Sequence, residues 1–202
     1  MSLTTLIEVG SHYQEIASFL DGLSHPERFR EVDRLKRRHQ KKLFELVHDA
    51  DPITMEHFVP EGVGPMREVI HYGKNTLPLI PRLRRFQKRF CLENEGDDTV
   101  FGYNEGISRR LIGPGYFVAE TTEGRADWEP KGAIVINYLK IPRGQVPSSW
   151  PKVIPNSRGL QMFVYNQTLD FMRKVSEHVS IGAAYRGDTP LHNWFVLCRE
   201  DL

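Results

Sequence analysis

Cysteine is scarce in this chain: Cys91 and Cys198 are the only two in 202 residues. Two thiols cannot build a disulfide framework, and a reducing compartment is the simplest setting for them. Long apolar runs are missing too. No segment reaches the roughly 20 apolar residues that a bilayer-crossing helix needs. The opening stretch MSLTTLIEVGSHYQEIASFL is interrupted by Glu8, His12, Gln14 and Glu15, unlike a secretory leader. The expectation is a soluble, cytoplasmic protein with no membrane partner. Charge of one sign is equally lacking, with 27 Lys and Arg against 26 Asp and Glu and a net charge of +1. So balanced a total exerts little long-range pull on a phosphate backbone and argues against nucleic acid. The Gly113-Pro114-Gly115 segment has neither the third glycine nor the βαβ setting of a dinucleotide fingerprint. No cofactor is indicated.

What is present is ordinary globular composition, 40% hydrophobic and 26% charged, in a chain long enough to bury a core unaided. The first part reads helical. Ile7, Ile16, Phe19, Leu20 and Leu23 fall on one helical face. Ser24-His25-Pro26-Glu27 has the form of a capping box, and the apolar spacing of Phe29, Val32, Leu35, Leu43, Leu46 and Val47 predicts a long helix to about Asp49. Asp51-Pro52 predicts a short helix ending before Pro60, and Pro65 another reaching Tyr72. Prolines between Leu77 and Arg82 then mark a change of period. We expect a helical region at 1–81 and an antiparallel region at 82–202, in one compact domain or two.

Beyond that boundary, three strand pairs are expected. Phe86 to Leu92 and Val100 to Tyr103 flank the acidic turn ENEGDD. Tyr116 to Thr122 and Ala133 to Ile141 form the second pair, and Val179 to Arg186 and Trp194 to Arg199 the third. Between the last two, Leu160, Phe163, Val164, Phe171 and Val175 suggest an amphipathic helix, preceded by a proline-rich loop at 142–155. The predicted fold class is therefore α+β: a helical N-terminal part, then a mostly antiparallel sheet of about six strands with one long helix packed on it.

The segment from Phe101 to Phe117 most resembles a site. It combines Tyr103, Asn104 and Glu105 with the adjacent guanidiniums of Arg109 and Arg110, and its glycines let a ligand approach the backbone. With Tyr116 and Tyr138 these make a candidate pocket for a small amphipathic or anionic ligand between sheet and helix. Asn137 and Gln167, polar at positions where the pattern predicts burial, pair within the core or line that cavity. If a reaction occurs, Glu105 and His178 are the available acid–base groups.

Other constellations have blander explanations. Glu45-x-x-His48 and Glu68-x-x-His71 match the paired motif of di-iron and di-manganese bundles, with Glu8 or Glu15 as further ligands. Two such matches arise by chance in a chain this rich in glutamate and histidine, so no metal residue is assigned. Cys198 near His178 and His192 lacks the turn of a nucleophile. The basic runs from Arg34 and Arg82, with the proline-rich loop around Trp128 and Trp150, supply a second functional reading, a macromolecular interaction module. Subunit number is not encoded here, and a homo-oligomer is left open.

Overall fold

The computed structural model describes residues 1–93, 99–107 and 109–202. Eight antiparallel strands close into a barrel in simple chain order. They are β1 (Val69–Asn75), β2 (Arg85–Leu92), β3 (Val100–Glu105), β4 (Phe117–Thr121), β5 (Ile134–Asn137), β6 (Thr168–Lys174), β7 (Val179–Arg186) and β8 (Thr189–Arg199). The closing ladder joins β1 to β8, with His71 opposite Arg199 and Asn75 opposite Phe195. Closure leaves no sheet edge unpaired.

This corrects the expected open sheet of six strands under one long helix. The six expected strands are β2, β3, β4, β5, β7 and β8. The other two, β1 and β6, occupy segments whose spacing suggested helix. In β6, Asp170 and Met172 point into the barrel while Leu169 and Phe171 are buried outside it, beneath Trp128. In β1, Val69 and His71 face inward and Tyr72 packs outward against Phe29. β6 is buried on both faces, and β1 sets His71 and Gly73 inside against Ile70 and Tyr72 outside, so neither shows an apolar–polar alternation and the period is hidden. The amphipathic helix expected over 160–175 is absent: a 3-10 turn at Gly159–Phe163 leads instead into β6. Of the acidic turn at ENEGDD, residues 94–98 lie outside the described residues.

The N-terminal helices are α1 (Leu3–Val9), α2 (Tyr13–Asp21), α3 (His25–Asp33), α4 (Arg37–Leu46) and α5 (Met55–Phe58). The capping box at Ser24 is formed, the Glu27 carboxylate accepting from the Ser24 amide at 3.1 Å. The single long helix expected to follow is broken between α3 and α4. Leu35 is buried in the break, and the His39 ring restarts the helix by accepting from the Lys36 amide at 3.2 Å. These helices bury Leu3, Leu6, Ile16, Leu20, Val32 and Leu43 against Val179, Ile181, Val196 and Cys198 on the outer face of β7 and β8.

Inside, glycine makes room for large rings. Gly102 in β3 lies between Phe90 of β2 and Phe117 of β4, whose rings meet over it at 5.3 Å between centroids. Gly182 in β7 stands likewise between Met172 and Phe195. A Cβ at either glycine would collide with these side chains.

Helix α5 plugs one end of the barrel. Phe58 stacks on Phe90 at 4.8 Å, and its carbonyl lies 3.0 Å from Nε2 of the buried His71. His57 is buried beside it, with ring centroids 6.1 Å apart. Desolvation holds both imidazoles neutral. The pKa of His57 lies well below its ordinary value and that of His71 falls to about 3. In the unfolded chain both titrate near 6.5. Their contribution to stability is therefore complete above about pH 6.5 and is lost as pH falls toward the folded values, because the unfolded state then binds more protons. Urea unfolding should show about 1.4 kcal/mol lost per pH unit through His71 between about pH 6 and 4, with a further loss of the same sign from His57. A His71→Phe variant, which keeps a ring against Phe58 and Phe90, should lose less over that range; an unchanged slope would remove His71 from this account.

Candidate functional site

Strand alternation places the far end of the barrel interior under a different set of side chains. Lys88 lies on β2 between Phe86 and Phe90, on their inward face. Asn104 points inward from β3, Tyr138 follows β5, and Asp170 faces inward from β6. The four converge. The Lys88 ammonium donates to Asn104 Oδ1 at 3.1 Å, to Asp170 Oδ2 at 3.2 Å and to the Tyr138 hydroxyl. Asn104 Nδ2 donates to the same hydroxyl at 3.1 Å and to the Gly115 carbonyl at 3.0 Å. The ammonium also sits over the rings of Phe117, Tyr138 and Phe195 at 4.8–4.9 Å, where ring faces favour a cation.

Both charges are almost wholly removed from water. Desolvation lowers the Lys88 pKa and raises that of Asp170, and the attraction between the two opposes both shifts. Burial likewise raises the hydroxyl pKa values of Tyr138 and Tyr165, whose rings stack at 5.2 Å. The group is thus a charge-balanced polar floor. The three ammonium hydrogens are taken by Asn104, Asp170 and Tyr138, so a guest oxygen binds here by replacing one of these acceptors on Lys88 or by donating to Asp170.

Above this floor lies a cavity of about 290 Å³, enclosed by Phe86, Phe195, Leu77, Leu83, Ile112 and Val164 among others. Its walls come from three long connections, β1–β2, β3–β4 and β5–β6, which antiparallel alternation gathers at the end of the barrel opposite α5. A short helix, α6 (Arg109–Ile112), lies within the second of them. A larger groove of about 1000 Å³ runs between Pro52–Glu56 and Ala119–Glu123, but it is open to solvent and collects no comparable buried polar group.

The residues singled out from the sequence divide between places. Asn104 and Tyr138 are in the floor, and Glu105 and Arg109 line the cavity wall. Arg109 Nε donates to Glu105 at 2.8 Å, so this guanidinium already has a carboxylate partner. Arg110 is exposed. Tyr103 and Tyr116 point outward, where they pack with Trp150, and the Tyr116 hydroxyl donates to the Pro151 carbonyl. They anchor the proline-rich loop rather than line the cavity.

Asn137 bonds to Glu120 at 2.6 Å on the outside of the barrel, and Gln167 is exposed. His178 lies at the α5 end, beside Arg199 and Asp201, far from Glu105. Glu68 pairs with Arg89 and accepts from Trp150 outside the barrel while His71 points inside, so that motif does not share a face. Among the described residues, no three His, Cys, Asp or Glu side chains gather as metal ligands. Both cysteines are buried on the outer face of the barrel, and burial raises each thiol to about 11.

Lys88 and Asp170 were not singled out from the sequence. The usable signal was a lysine two residues from a phenylalanine on either side, which in a strand puts a cation on an aromatic face.

Comparison with protein-family models, with curated proteins and with solved structures finds no match to this chain. The functional argument rests on geometry.

Breaking the buried pair from one side strands a charge. Lys88→Met should cost roughly 3–5 kcal/mol in urea unfolding, and adding Asp170→Leu should restore most of it. Additive losses in that double-mutant cycle would show that the two side chains do not act as a pair.

Proposed function

We propose that the barrel binds a small amphipathic molecule, with its apolar body in the cavity and an uncharged oxygen, a hydroxyl or carbonyl, against Lys88 and Tyr138. The observation that carries this reading is a charge-balanced polar group at the floor of an otherwise apolar cavity. Such sites fix orientation with a few polar groups and draw affinity from apolar burial.

An anionic head group is the poorer fit. Lys88 is already offset by Asp170 and Arg109 by Glu105, so an added anion would leave an unbalanced negative charge in a desolvated space. The cavity volume suits a ligand at the small end of the usual range. A macromolecular interaction surface built on the two tryptophans has less support, since Trp150 is buried and Trp128 packs on Phe171.

The Trp194 ring packs outside the barrel beneath Arg37, so binding is read by isothermal titration calorimetry. Decanol should bind saturably, and decanoate should bind at least about tenfold more weakly. The Lys88→Met, Asp170→Leu double variant should keep the apolar walls yet bind decanol about tenfold more weakly, because the hydroxyl loses its polar partners. Tighter binding of decanoate would overturn the uncharged-head assignment, and no saturable binding of either compound would overturn the pocket reading.

A further inference from the structure

The three connections that frame the cavity share a composition. Residues 77–87, 106–117 and 151–167 contain no aspartate or glutamate. They carry Arg82, Arg84, Arg85, Arg109, Arg110, Lys152 and Arg158. Arg85 and Arg109 are matched by Asp33 and Glu105, whereas Arg82, Arg110 and Arg158 are exposed. The same segments project apolar side chains into water: Leu111 is 74% exposed, Phe163 72%, Ile80 64% and Ile107 59%, with Leu160 and Met162 beside Phe163. Elsewhere among the described residues, side chains of this kind are scattered, as Val9, Leu139 and Leu202 are. That the three segments belong to one surface follows from the cavity they jointly line and from the contact of the Gly113 and Gly115 backbone with Gln161 and Tyr165.

We propose that this rim is a docking face for a bilayer surface containing anionic lipid, which places the barrel mouth against the membrane. Three features select this occupant. Protruding aliphatic and aromatic side chains interleaved with arginines match the two layers of a membrane interface, apolar chains below and phosphates at the level of the guanidiniums. Carboxylates at this end are held by cations, Glu105 by Arg109 and Asp188 of the β7–β8 turn by Lys131, which lessens the repulsion that an anionic surface would otherwise meet. The rim is also continuous with the mouth of an apolar-walled cavity, so a sparingly soluble molecule could pass between bilayer and barrel without crossing water.

A second copy of the chain fits less well, because a symmetric contact through this face would bring the unpaired arginines of both copies together. Single-stranded nucleic acid would need a row of exposed rings for stacking, and Phe163 stands among aliphatic neighbours. The lack of a helix able to cross a membrane bears only on spanning and is compatible with this peripheral mode.

The test is co-sedimentation of the full chain with vesicles of phosphatidylcholine alone or mixed with phosphatidylglycerol. Binding is expected to the mixed vesicles and to weaken as salt is raised. A variant with Arg82→Gln, Arg110→Gln and Arg158→Gln should bind on the order of a hundredfold more weakly, at about fivefold per charge removed. Leu111→Ser with Phe163→Ser should lose at least about tenfold even at low salt. Both variants change exposed side chains, so folding, checked by circular dichroism, should survive.

Failure to bind mixed vesicles, or binding unaffected by both variants, would overturn the proposal. So would a dimer in sedimentation velocity that the Leu111 and Phe163 substitutions abolish, since a second copy would then be the occupant. Decanol binding measured by calorimetry without vesicles is read separately, so loss of the docking face and loss of the pocket reading give different results.

Discussion

The β1–β8 ladder is the constraint on which the rest of the structure depends. Without it the chain would be an open sheet with two unpaired edges, and Lys88, Asp170 and the two histidines would face water rather than one another. It joins the two strands farthest apart in the barrel's sequence, the pairing whose loop closure costs most entropy. The N-terminal helices bear on this seam. α3 and α4 lie over β7, β8 and β1, with Phe29 against Tyr72 and Arg28 reaching Asp201 just beyond β8. Apolar burial across the seam, at about 25 cal/mol per Å², offsets part of the closure cost.

Closure then divides the interior. Toward α5 it is filled by stacked rings and neutral imidazoles and leaves no room for a ligand. Toward the long connections the filling stops short, and the charge-balanced group marks where packing ends and the cavity begins. A buried ion pair adds little net stability over an apolar replacement. Its presence at this depth is therefore better explained by what it can hold in place than by what it contributes to the fold.

The sequence exposed some of this directly. β4, with a partly exposed outer face, and β7, with β-branched side chains before a Gly-Asp turn, were legible by their composition and turns. β6 was not, because it is buried on both faces and a run such as Leu169-Asp170-Phe171-Met172 carries no alternation, and β1 was not, because its inner face carries His71 and Gly73 while Ile70 and Tyr72 lie outside. Barrel closure was illegible for the same reason, since it depends on those two strands. Asn104 and Tyr138 were placed among the polar groups of a pocket because Asn104 lies in the site-like stretch from Phe101 to Phe117 and Tyr138 offers a hydroxyl, whereas the need of a polar residue in an apolar segment for a partner pointed to Asn137 and Gln167, which lie outside the cavity. Lys88 hid in a basic run. Its neighbours Arg85 and Arg89 face outward to Asp33 and Glu68, and only the strand period separates the inward cation from the outward ones. The break at Leu35 escaped notice because helical spacing continues through it, and the cap that restarts α4 is a histidine.

Helix α5 fills the end of the barrel away from the cavity, so a guest enters and leaves among the connections at the other end. Exchange is then governed by the three connections at the mouth rather than by the barrel wall, whose ladders are fixed all round. The scaffold and the gate are separate parts of the chain, so the mouth segments can be altered in sequence to change how quickly a guest is taken up while the ladders that shape its seat stay as they are.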